Sequence, residues 1–124
     1  MTTRVGYIGL GDMGKAMASN LAPKGFDTRV YDLNPEPVKE LVAAGAVGAA
    51  SCREVGEHAE LLSICVPADA HVEAVLLGEN GALAGMAKGS IVAVHSTVQP
   101  DTIEKVAAAA RERGVHLIDA CVTG

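Results

Sequence analysis

Apolar residues along the chain recur with two alternating periods. Short continuous apolar runs read as strands covered on both faces. Stretches with apolar residues three or four apart read as helices lying on them. Arg4 to Ile8 is the first predicted strand. Met13, Ala16, Met17, Asn20 and Leu21 form one face of a first helix, which Gly25 ends. Asp27 to Tyr31 is the second strand. Asn34 caps a second helix, with Pro35 at its first position and Gly45 just past its end. A short strand near Val47 follows, and Ser51 and Glu54 have the spacing of a capping box that opens a brief third helix. Leu61 to Val66 is a central strand stopped by Pro67. A helix over about residues 70–77 turns Val72, Val75 and Leu76 inward. Residues 78–89 are glycine-rich and read as a loop with room for one helical turn. Ser90 to Val94 is the fifth strand. Pro100 opens a helix whose buried stripe is Ile103, Val106, Ala107 and Ala110, Gly114 ends it, and Val115 to Asp119 is the sixth strand.

The first strand runs directly into Gly9-Leu10-Gly11-Asp12-Met13-Gly14, and Asp32 closes the second strand 18 residues after Gly14. Strand, G-x-G-x-x-G, helix, strand and acid make up the dinucleotide-binding fingerprint in its full context. Gly9 allows the tight turn off the strand, Gly11 leaves room for a pyrophosphate, and Gly14 lets the helix lie close to the strand. The N–H groups that open the helix, that of Met13 among them, face the anion. Asp12 sits where the pyrophosphate approaches. The Asp32 carboxylate is placed to accept from the adenine ribose, and Leu33 beside it offers no positive charge for a 2'-phosphate. Six strands with helical crossovers and this fingerprint predict a Rossmann-type doubly wound parallel sheet of order 3-2-1-4-5-6. Ligands in such sheets bind beyond the carboxyl ends of the strands. There the chain places Asp32, Val66-Pro67, His95-Ser96-Thr97 and residues 120–124.

The bulk numbers narrow the class. The 124 residues, 49% of them hydrophobic, suit a single domain over 1–124 with a core of its own. No apolar run is long enough to span a membrane, and the opening Met1-Thr2-Thr3-Arg4 does not read as a signal peptide. Three widely spaced cysteines, Cys52, Cys65 and Cys121, fit free thiols in a reducing cytoplasm and form no metal motif. A net charge of −5 and 2% aromatic residues argue against nucleic acid as a partner.

Residues 6–21 resemble the opening signature of the β-hydroxyacid dehydrogenases, the group of 3-hydroxyisobutyrate and 6-phosphogluconate dehydrogenases. Val66-Pro67 resembles that family's Leu-Pro pair, Ser96-Thr97 its Ser-Thr pair, and residues 119–124 its Asp-Ala-Pro-Val-Ser-Gly substrate motif, with Cys121 for Pro and Thr123 for Ser. The resemblance implies NAD as cofactor and a small β-hydroxy acid such as 3-hydroxyisobutyrate as substrate. It implies that Val66 and Pro67 lie against the cofactor, His71 near the adenosine, and Thr97 by the nicotinamide ribose. It also implies that Thr123 and Gly124 hold the substrate carboxylate. The family's catalytic lysine belongs to a following helical domain. Lys15, Lys24, Lys39, Lys88 and Lys105 do not match its motif, so no catalytic residue is assigned here. The chain is expected to act with a separate helical catalytic domain or as a homo-oligomer. A non-catalytic NAD-binding module and the cofactor domain of an NADPH-dependent imine reductase are the alternatives.

Overall fold

The computed structural model describes residues 3–66, 69–95 and 98–119, with Asp12, Met13 and Asp69 described through their backbone alone. Its strands are β1 (Arg4–Ile8), β2 (Asp27–Tyr31), β3 (Val47–Gly48), β4 (Leu61–Ile64), β5 (Ile91–Val94) and β6 (His116–Asp119). Its helices are α1 (Asp12–Ala18), α2 (Pro35–Ala43), α3 (Cys52–His58), α4 (Asp69–Leu76), α5 (Ala82–Gly85) and α6 (Pro100–Glu112). The strands form one sheet in the order β3-β2-β1-β4-β5-β6, every pair parallel. This is the predicted topology. Right-handed crossovers explain its two faces. The chain moves one way across the sheet from β1 to β3 and the other way from β4 to β6, so the connecting helices fall on opposite sides.

The sheet therefore separates two cores. On one side Ile8, Leu62, Ile64, Val92 and Val94 meet Val55, Val72, Leu76, Val106 and Ala110 from α3, α4 and α6. On the other, Tyr7 and Val30 meet Ala18 and Leu41 from α1 and α2, with Leu10 and Ala46. Alternation along β1 sends Tyr7 into one core and Ile8 into the other. Each large side chain fully buried here contributes about 1.5–3 kcal/mol. Gly6, on the central strand, would bring a Cβ to 2.5 Å from Val55 and 3.0 Å from Leu62, so its lack of one lets α3 lie close against β1.

Local signals set most boundaries. The Asn34 side chain accepts from the Glu36 N–H at 3.1 Å. Ser51 accepts from the Glu54 N–H at 3.2 Å, and Glu54 reaches back to the Ala50 N–H at 3.1 Å, completing the capping box one residue early. Three expectations change. The first helix stops at Ala18, where a run to Gly25 was expected. The Ser19 hydroxyl and the Asn20 amide both donate back to the Ala16 carbonyl, competing with the helical ladder. Pro23 has no N–H to extend it, so a separate 3-10 turn covers Ala22–Lys24. β4 ends at Ile64, short of Val66, although the Cys65 N–H still donates to the Ile8 carbonyl at 2.9 Å. In α6 the buried stripe is Thr102, Val106 and Ala110, with Ile103 and Ala107 only partly covered.

One contact sets a sign. Gly56 is buried on α3, and a Cβ there would run into the Ala82 carbonyl oxygen of α5. Helix propensity alone favours alanine by up to about 1 kcal/mol, but overpacking against backbone costs about 1–3 kcal/mol. Gly56→Ala is expected to lower the urea midpoint. A midpoint equal to or above that of the unmodified chain would mean that α5 yields freely.

Candidate functional site

The carboxyl ends of the strands are tied to one another by hydrogen bonds that outlast the regular ladder. Gly9 N–H donates to Tyr31 O at 3.1 Å, Ala49 N–H to Val30 O at 2.9 Å, Cys65 N–H to Ile8 O at 2.9 Å, and His95 N–H to Ile64 O at 2.8 Å. The loops after β1, β3, β4 and β5 are thereby fixed along a single rim. Below that rim opens a cleft of about 1010 Å³, lined at its floor by Ile8, Gly9, Gly11 and Gly14. Tyr31, Asp32 and Leu33 form one wall. Cys65, Val66 and His95 lie across from it, and Ala50, Ser51, Cys52, His71, Ala74, Val75, Leu77, Asn80 and Gly81 close the remaining side.

Each glycine of the loop has its own mechanical reason. Gly9 has φ +94°, and a Cβ there would strike the Cys65 carbonyl oxygen. A Cβ on Gly14 would strike the Gly9 carbonyl oxygen. These two positions are glycine because backbone packs directly on backbone. Gly11 differs: with φ −65° it could hold any residue, and a Cβ there would meet nothing within 4 Å. The space above it belongs to the cleft. Gly11 is also the N-cap of α1 and supplies no side-chain cap, so the first N–H groups of the helix point outward without an intrahelical acceptor. That arrangement, a bare backbone floor under a helix N-terminus, suits a pyrophosphate.

Asp32 is locked in place. One carboxylate oxygen accepts from the Leu10 N–H at 2.5 Å and the other from the Asn34 N–H at 2.8 Å. Two of its four lone-pair sites remain to accept from hydroxyl groups. Leu10 itself turns its side chain into the core beneath α1 and α2, so its part in the site is the N–H that positions Asp32. Leu33 is 83% exposed at the cleft edge.

Behind the loop, the Tyr7 and His95 rings stack with centroids 6.4 Å apart and planes 9° from parallel. A His95 ring nitrogen lies 3.3 Å from the Ser63 hydroxyl, and the Tyr7 hydroxyl donates to the Met17 sulfur at 3.4 Å. Burial pushes the Tyr7 phenol well above its ordinary range, and neighbouring Cys65 adds to this. Burial pushes the Cys52 thiol up to about 11 and raises the Cys65 thiol as well, partly offset by the neighbouring Tyr7 hydroxyl. Both cysteines stay neutral near pH 7, which favours packing over nucleophilic chemistry. Among the described residues, no three His, Cys, Asp or Glu side chains group to hold a metal ion.

The structure thus brings together Gly9, Gly11, Gly14, Asp32, Leu33, Val66 and His71 around one cleft. Asp12 and Met13 open α1 at its floor. Pro67, Thr97, Thr123 and Gly124 lie outside the described residues. Sequence reasoning did not pick out Ala50-Ser51-Cys52, which follow β3. The rule that ligands lie beyond strand ends, applied to that short strand, finds them. Ala74, Val75, Leu77 and Asn80 carry no comparable signal.

A family model described as the NAD binding domain of 6-phosphogluconate dehydrogenase matches residues 4–124. The chain belongs to this family. It is 43% identical over 121 residues to an NAD-dependent L-serine dehydrogenase of Pseudomonas aeruginosa, covering 98% of this chain and 41% of that protein. It is also 43% identical over 122 residues to a 3-hydroxyisobutyrate dehydrogenase of the same organism, with 98% and 41% covered. A 3-hydroxyisobutyrate dehydrogenase structure from Salmonella typhimurium superposes with a TM-score of 0.89 at 37% identity, covering 98% of this chain and 42% of that one. The chain therefore spans about two fifths of the length of these relatives. Over that length it matches the NAD-binding domain of the family. No helix among the described residues is long and apolar enough to cross a membrane.

The glycines separate folding from binding. Gly11→Val is expected to keep the circular dichroism and melting temperature of the unmodified chain while abolishing NADH binding in calorimetry. Gly9→Ala is expected to lower stability outright, since strain at positive φ is of order 1–3 kcal/mol before any collision is counted. Retained NADH binding by folded Gly11→Val would remove the loop as the phosphate site.

Proposed function

We propose that this domain holds NAD(H) for hydride exchange with a small β-hydroxy acid, such as 3-hydroxyisobutyrate. The observation that carries the reading is the joining of a side-chain-free floor at Gly11 to a fixed carboxylate at Asp32 within one cleft. In this reading the N–H groups opening α1 at Asp12, Met13 and Gly14 take the pyrophosphate, and Asp32 accepts from the adenine ribose. Leu10 orients Asp32 through its N–H. Leu33 and His71 border the adenosine, and Val66 and Pro67 lie against the cofactor. Thr97 sits by the nicotinamide ribose, and Thr123 and Gly124 hold the substrate carboxylate. NAD supplies the hydride acceptor. Removal of the hydroxyl proton needs a general base. That base would be a lysine on a helical domain outside these 124 residues, in keeping with relatives more than twice as long. An imine reductase using NADPH is the weaker reading, because Asp32 and Leu33 offer a 2'-phosphate one negative charge and no positive one.

Two measurements test this. NAD(H) is expected to bind more tightly than NADP(H) in calorimetry, since an unfavourable charge juxtaposition costs up to several kcal/mol. Asp32→Ala should narrow the gap while weakening both, because the Leu10 N–H loses its acceptor. NADP(H) binding as well as NAD(H) to the unmodified chain would overturn the assignment.

The second measurement is turnover. Incubated with NAD and 3-hydroxyisobutyrate or related β-hydroxy acids, the 124-residue chain is expected to produce no NADH absorbance above background. Turnover at an ordinary dehydrogenase rate would place the base within this chain, His95 being the first residue to substitute.

A further inference from the structure

The turn between α4 and α5 is more tightly held than a surface connection requires. Gly81 N–H donates to Gly78 O at 3.2 Å, closing a β-turn with Glu79 and Asn80 at its centre. Gly78 enters the turn at φ +86°. A Cβ on Gly81 would meet the carbonyl oxygens of Leu76 and Leu77, so the turn rests directly on the end of α4. From the other side, the Arg53 N–H in the first turn of α3 donates to the Asn80 carbonyl at 3.0 Å, and the Arg53 guanidinium donates to the Glu79 carbonyl at 3.2 Å. A backbone bond from α3 and close packing on the end of α4 hold Asn80 in the cleft wall. Its side-chain amide forms no hydrogen bond with any described residue.

Position along the sheet says what the amide faces. The glycine floor lies at the end of β1 and Asp32 at the end of β2. The start of α3, to which Asn80 is bonded, follows β3. Phosphate, ribose and base of a bound nucleotide would follow the same order across the sheet. Ala74, Val75 and Leu77 give that side of the cleft apolar surface, and Ser51 and His71 are its other polar side chains. Adenine presents an exocyclic amino donor beside a ring-nitrogen acceptor, and a carboxamide matches that pair with two hydrogen bonds. Resting on the NAD reading above, we propose that Asn80 reads the adenine base, as a specificity-determining residue for the adenosine half of the cofactor.

The test compares NAD with its 1,N6-etheno derivative, in which the exocyclic amino group and adjacent ring nitrogen are both blocked. Calorimetry on the full chain is expected to show NAD affinity falling about tenfold in Asn80→Ala, the size of a lost two-point base contact. Affinity for etheno-NAD should not change. Asn80→Asp keeps the size and turn preference of asparagine but loses the donor, and should weaken NAD likewise. Equal weakening of both ligands would reduce Asn80 to a structural turn residue and overturn the proposal, as would no change in either. Failure of the unmodified chain to bind NAD at all would instead overturn the nucleotide reading on which it rests.

Discussion

At the head of β1, peptide backbone lies against peptide backbone with no side chain between. Gly9 passes over the Cys65 carbonyl, and the first turn of α1 passes over the Gly9 carbonyl at Gly14. Both contacts require glycine, one of them doubly so because of its positive φ. The remaining geometry depends on them. They set the distance of α1 from the sheet, bring the loop after β4 against the loop after β1, and leave the floor of the cleft bare at Gly11. A methyl group at either position would push these elements apart and fill the space the cleft needs.

Asp32 completes this arrangement by connecting two loops that have no regular pairing of their own. It accepts from Leu10 in one and Asn34 in the other, so the acid that faces the cleft also fixes the cleft's shape. Structural and ligand-facing demands meet on one carboxylate. Its removal is felt in the protein before any ligand arrives, which is why selectivity rather than bare affinity reports its second role.

Much of this was legible in the sequence because local physics and tertiary physics agreed. Continuous apolar runs belong to strands covered on both sides, and the strands fell within one or two residues of their expected positions. The caps at Asn34 and Ser51 announced their helices. Where the two disagreed, periodicity misled. The apolar face of α1 continues through Leu21, but Ser19 and Asn20 turn their hydrogen bonds back on Ala16. The stripe on α6 begins at Thr102, whose polarity hid its burial. In the site, Gly9, Gly11, Gly14 and Asp32 were visible because their spacing is mechanical. Asn80 was not, because nothing in a turn sequence reveals which distant cleft it borders.

The sheet also acts as a partition. Tyr7 and Ile8 are neighbours in the chain, yet one packs with Leu41 and the other with Leu76, and no buried residue belongs to both clusters. Substitutions that share no partners combine nearly additively. The two halves of the interior can therefore drift in sequence almost independently, each tested against its own neighbours. Strands β1 and β2, with Tyr7 and Val30 on one side and Ile8 and Tyr31 on the other, answer to both.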